Sequence, residues 1–101
     1  MNHTRINQIN EEIDQMIPLL LVPLRTQKIV NKNALNKISM LVDELTVLLA
    51  TETYISKQLV GQIWSVFTAM LGEAEHAKNR EEIEIAAWNY QEKARLLFKI
   101  K

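Results

Sequence analysis

The chain contains no cysteine and has only two glycines and two prolines among its 101 residues. The lack of cysteine excludes a disulfide scaffold, a thiolate zinc site and a cysteine nucleophile, and it agrees with a reducing compartment. So few turn-forming residues argue against all-β and α/β domains, which need many tight turns. The composition alone therefore favours an all-α protein.

A net charge and a long apolar run are also lacking. The 12 basic and 12 acidic side chains cancel, whereas a general polyanion binder normally carries a basic excess. The apolar stretch over residues 17–24 is far shorter than the roughly 20 residues that span a bilayer. The first residues show no basic region followed by an apolar one, so we predict no signal peptide. We expect one cytoplasmic domain covering residues 1–101.

What the sequence does contain is helical periodicity, because apolar residues recur at steps of three and four. The first stripe consists of Ile6, Ile9, Ile13, Met16 and Leu20. Pro18 and Pro23 interrupt it, and proline inside a helix removes a hydrogen bond and clashes with the preceding turn. We therefore predict a helix over residues 4–17 and a bent or separate helical piece over 18–31. One bent helix and two helices both remain possible.

Two further helices follow in the middle of the chain. Asn33 is the predicted N-cap of the second helix. Its apolar seam has heptad spacing and consists of Leu35, Ile38, Val42, Leu45 and Leu49, widened by Leu41 and Leu48. The third helix is predicted over residues 53–78, with Thr51 or Thr53 as its cap.

The last part of the chain adds two local predictions. Gly61 and Gly72 each cost the third helix about 1 kcal/mol relative to alanine, so we expect a neighbouring helix to approach closely there. Asn79 and Glu82 have the spacing of a capping box, which predicts the start of a fourth helix. Acidic residues follow this start, and the basic residues Lys93, Arg95, Lys99 and Lys101 close the helix, as the helix dipole favours.

Four helices joined by short loops predict an antiparallel up-down four-helix bundle, with the first helix broken or kinked at Pro18/Pro23. In size, lack of cysteine and predicted architecture the chain is similar to small helical-bundle proteins of Gram-positive bacteria, including immunity proteins against class IIa bacteriocins. This resemblance is one of fold and length, without a shared motif, and those proteins tend to be basic. It implies a non-enzymatic role that depends on a partner.

Several apolar residues lie off the predicted core stripes. On the fourth helix Ile85, Trp88 and Leu96 fall opposite the core arc, and on the third helix Trp64 and Leu71 widen the stripe on one flank. Met40 and Val47 lie opposite the seam of the second helix. Either these residues complete the core of a monomer, or they form a contact surface for a partner. We select Ile85, Trp88, Leu96, Trp64 and Leu71 as candidate partner-binding residues and expect a homodimer or another oligomer.

Motifs for catalysis or cofactor binding are sparse. The sequence has no Gly-x-Ser-x-Gly turn and no glycine-rich phosphate loop, so we predict neither an enzyme nor a cofactor. Glu73 and His76 form a single Glu-x-x-His pair, whereas di-iron bundles use two such pairs and two further glutamates. Metal binding through this pair is one alternative function.

A second alternative is weak nucleic-acid binding through the basic segment 25–37. Its four cations, with no acidic residue between them, are Arg25, Lys28, Lys32 and Lys37. Such residues could neutralise phosphates. No aromatic residue lies among them to stack on a base, and a solvated basic face explains the run more simply. The leading hypothesis is an accessory, regulatory or immunity-type protein that acts through protein–protein contacts.

Overall fold

A computed structural model describes residues 3–99 and contains four helices. They are α1 (His3–Gln27), α2 (Lys32–Leu48), α3 (Lys57–Ala74) and α4 (Arg80–Phe98). No strand occurs within residues 3–99. The prediction of an all-α four-helix bundle is confirmed. The predicted basic end of the fourth helix at Lys101 lies outside the described residues.

The helices form a ring in the order α1, α2, α4, α3, so α2 and α3 lie diagonally across the bundle. Consecutive helices are antiparallel, as predicted. The connection over residues 49–56 crosses the end of the bundle, and this makes α2 and α4 parallel neighbours. An ion pair of 2.8 Å between Asp43 and Lys93 joins corresponding levels of these two helices. Helices α1 and α3 are also parallel neighbours. The side-chain amide of Gln62 in α3 donates to the Asn10 carbonyl at a corresponding level of α1 over 3.2 Å.

The core includes most residues of the predicted α1 and α2 stripes, with Ile6, Met16, Leu48 and Leu49 partly buried against it. Its largest fully buried side chains are Tyr90, Ile9, Ile13, Leu20, Leu24, Ile38, Leu45, Ile63, Met70 and Ile83. The hydroxyl of Tyr90 donates to the carbonyl of Ile63 over 2.6 Å, and this bond joins α4 to α3 inside the core. Burial of the phenol raises its pKa well above the usual value. The hydroxyl therefore remains a hydrogen-bond donor throughout the physiological range.

Helix α1 continues through both prolines, so residues 3–27 form one helix rather than two. Pro23 has no N–H group, which leaves the carbonyl of Leu19 without its usual helical donor. The side-chain amide of Asn31 donates to that carbonyl over 3.2 Å. The amide oxygen of the same residue accepts from the backbone of Ala34 over 3.2 Å. Asn31, and not the predicted Asn33, is therefore the N-cap of α2.

Helix α3 is shorter than predicted. It begins at Lys57, and the Ser56 hydroxyl caps it by accepting from Leu59 N over 3.1 Å. Thr51 and Thr53 are not the cap, because the chain has to cross the bundle end before the helix starts. The helix ends at Ala74, after which the backbone forms two tight turns through His76 and Ala77.

Two predictions about the second half of the chain need correction. Asn79 occupies the N-cap position of α4, but its side chain makes no capping bond. Its amide instead donates to the carbonyl of Lys28 over 2.9 Å and ties the α3–α4 turn to the end of α1. Gly61 and Gly72 have no neighbouring atom within 4 Å of the position a Cβ would take. The expected close helix approach at these glycines is therefore wrong.

Candidate protein-contact surface

The outer side of α4 carries three large apolar residues that the core does not cover. Ile85 is 54%, Trp88 52% and Leu96 58% exposed. The opposite side of the same helix is buried and consists of Ile83, Ala87, Tyr90, Ala94 and Leu97. These three of the five residues selected from the sequence thus lie outside the core. About half of each of these side chains stays uncovered within residues 3–99.

Trp88 leans towards α3 and joins two further aromatic rings. Its ring packs edge-on against Phe67 with centroids 5.1 Å apart, and Trp64 packs against Phe67 in a tilted arrangement at 5.2 Å. Phe67 is buried, whereas Trp64 is 37% exposed. We call Trp64, Phe67 and Trp88 the aromatic cluster. Leu71, two helical turns after Trp64, is half-buried against the core beside it.

Ile85 lies on the other flank of α4, in a groove between α2 and α4 of about 620 Å³. The apolar residues of the groove are Val30, Leu35, Ile85, Ala86 and Tyr90, and its polar residues include Lys32, Asn36, Ser39, Glu81, Glu82, Asn89 and Lys93. Sequence reasoning missed this groove because short loops suggest that α2 packs beside α3. The groove exists because α2 packs beside α4 instead.

Leu96 follows Ile85 by three helical turns and therefore shares its side of α4. On α2, Met40 and Val47 are also exposed. They lie opposite the buried seam, on the solvent side of α2. We call Met40, Val47, Ile85 and Leu96 the α2–α4 face. The structure therefore divides the predicted patch between two adjacent surfaces, with Trp88 in the aromatic cluster and the other two α4 residues in the α2–α4 face.

The charges on α4 are strongly ordered along its length. After Arg80 its first turns carry Glu81, Glu82 and Glu84, and its second half carries Glu92, Lys93 and Arg95, followed by the C-cap Lys99. Arg80 pairs with Glu84 over 3.3 Å, and Arg95 pairs with Glu92 over 2.9 Å. These pairs are exposed or nearly so, and each contributes little to stability. The overall pattern is an acidic start and a basic end of one exposed helix.

The candidate metal residues Glu73 and His76 lie near the end of α3, beside the end of α1. The ammonium group of Lys28 lies 2.5 Å from the Glu73 carboxylate, and Arg25 approaches it to 4.0 Å. The hydrogen bond from Lys28 lowers the pKa of the Glu73 carboxyl below its usual value, and the charges of Lys28, Arg25 and His76 act in the same direction. Within residues 3–99 no group of three or more His, Asp or Glu residues could hold a metal ion.

The basic segment 25–37 extends from the last turn of α1 into the first turns of α2. Two of its four cations, Arg25 and Lys28, face the Glu73 carboxylate, so part of the positive charge is compensated within the chain. No helix within residues 3–99 has the length and the apolarity needed to cross a bilayer. Comparisons with protein-family models, with curated proteins and with solved structures give no significant match.

Proposed function

We propose that this protein acts by binding other proteins, as an accessory, regulatory or immunity-type bundle, and that it binds itself. One observation carries the proposal: Ile85, Trp88 and Leu96 are half exposed on a helix whose other side already fills the core. Large apolar and aromatic side chains are typical anchors of protein interfaces. The proposal includes no catalytic step, and it places the protein in the cytoplasm, a location supported by the absence of cysteine.

The test is sedimentation of the purified protein over a range of concentrations, with Trp88→Ala as the variant. We expect self-association in the wild type and weaker association in Trp88→Ala. The variant also loses the packing on Phe67, so its melting temperature should fall by a few degrees. Tyr54→Ala is the matched control, because Tyr54 is an exposed aromatic in the 49–56 connection. Full association in Trp88→Ala, with a large loss of stability, would show that Trp88 serves only the fold.

The two alternatives from the sequence have direct tests. Metal binding through Glu73 and His76 requires stoichiometric iron, manganese or zinc in the purified protein, and the observed pairing of Glu73 with Lys28 competes with it. Nucleic-acid binding through residues 25–37 requires a band shift at low salt, where phosphate contacts are strongest. A positive result in either experiment would replace protein binding as the leading function.

A further inference from the structure

The α2–α4 face offers both a groove and a side chain that could fill it. The groove lies beside Ile85, near the start of α4. Leu96 projects from the same side of α4, eleven residues later and so about 16 Å away. These two features cannot meet within one copy. They meet twice when a second α4 lies antiparallel on the first, because each Leu96 then lies beside the Ile85 of the other copy.

We propose that the α2–α4 face binds a second copy of this chain, with the two α4 helices antiparallel about a twofold axis. This inference rests on the proposed function and specifies its partner and geometry. Pairing Ile85 with Leu96 of the second copy places the axis between Tyr90 and Gln91. Since Asp43 is level with Lys93, the exposed Met40 on α2 is level with Tyr90 and so at the height of the axis. The dimer therefore covers apolar residues of both helices of this face.

The same arrangement brings opposite charges together. The acidic start of one α4 meets the basic end of the other, and Glu81 lies next to Lys99 of the second copy, whose ammonium group also donates to the Ala50 carbonyl of its own chain over 2.6 Å. Antiparallel helix dipoles add to this complementarity. Near the axis the two Glu92 side chains approach each other, and each is compensated by Arg95 of its own chain at 2.9 Å. The order of charges along α4 is thus complementary to that of a second, antiparallel α4. A uniformly charged partner would be complementary to only one end of the helix.

The size of the face sets the expected strength of the dimer. Helix α2 has 17 residues and is therefore about 26 Å long. Together α2 and α4 are roughly 20 Å wide, so the face covers about 500 Å² per copy. A total of about 1,000 Å² is at the small end for specific interfaces. We therefore expect a reversible dimer, in equilibrium with the monomer at micromolar concentration.

The first experiment compares Leu96→Ser with Val22→Ser by sedimentation velocity. Val22 is as exposed as Leu96 but lies on α1, diagonally opposite α4. We expect Leu96→Ser to lower the association constant about tenfold and Val22→Ser to leave it unchanged. Thermal unfolding of both variants confirms that the fold is retained. Equal association of both variants with the wild type would overturn the proposed interface.

A charge-reversal cycle tests the antiparallel geometry itself. Glu81→Lys and Lys99→Glu should each weaken the dimer, and the double variant should recover most of the loss. Because Glu81 and Lys99 lie at opposite ends of one α4, recovery requires contact between copies. A double variant no better than the single ones would refute the antiparallel pairing. If Trp88→Ala weakens the dimer while the Leu96→Ser and charge variants do not, protein binding stands and this interface is wrong. A wild type that never associates contradicts both proposals.

Discussion

Asn31 gives the sharpest test of how the bundle is held together. Its side chain makes two hydrogen bonds with different partners: it caps α2 through Ala34 and it satisfies the Leu19 carbonyl that Pro23 leaves free. Loss of an N-cap costs about 1 kcal/mol. Loss of the second bond, which is exposed, adds about 0.5–1 kcal/mol. We therefore predict that Asn31→Ala lowers the free energy of unfolding by about 1.5–2 kcal/mol.

Two matched variants separate the contributions. Asn31→Asp keeps the cap but replaces the donor to Leu19 with a second acceptor, so only the second bond is lost. Asn33→Ala removes the residue that the sequence suggested as the cap and should change stability by less than about 0.5 kcal/mol. Thermal melts are sensitive enough, since 1 kcal/mol shifts the midpoint of a domain of this size by about 4–8 °C. A melt of Asn33→Ala as low as that of Asn31→Ala would refute this reasoning.

Three further outcomes follow from the structure. Tyr90→Phe removes the buried bond to the α3 carbonyl and should lower stability by about 1 kcal/mol, measured by urea unfolding; no change would mean that this bond adds nothing. Gly61→Ala and Gly72→Ala meet only open space and should each raise stability by about 0.5–1 kcal/mol, and a loss would reveal a contact at that site. The Glu73 carboxyl has a lowered pKa because of Lys28. The ionised carboxyl therefore stabilises the fold fully above the pKa of about 4.3 that it has in the unfolded chain. This stabilisation is lost as the pH falls through the lower pKa of the folded state. Glu73→Gln should accordingly show a smaller loss of melting temperature between neutral pH and about pH 3 than the wild type, and equal losses would argue against this linkage.

The sequence was informative wherever one helix face decides burial. The seam of α2 and the inward arc of α4 are buried or partly buried, as their periodicity predicts, and the candidates Ile85, Trp88 and Leu96 lie outside the core. Periodicity succeeds here because a helical stripe must be covered by other helices, whatever their order. The composition was equally reliable for the fold class, since two glycines and two prolines provide few sharp turns.

The caps of α2 and α4 and the groove beside Ile85 could not be predicted from the sequence, because they depend on contacts between distant segments. Asn31 and Asn33 are equally good caps by type, and only the free Leu19 carbonyl on the neighbouring helix distinguishes them. Asn79 has the right position for a cap, yet its amide is directed to the end of α1. The groove beside Ile85 arises because the 49–56 connection crosses the bundle, and no local pattern encodes that crossing.

The central claim is that the outer side of α4 carries more apolar surface than one chain can cover. Sedimentation of the wild-type protein from low micromolar concentration up to about 1 mM tests it most directly. We predict a weight-average mass that rises with concentration from 11.7 kDa towards twice that value. A mass that stays at 11.7 kDa over the whole range would contradict the claim.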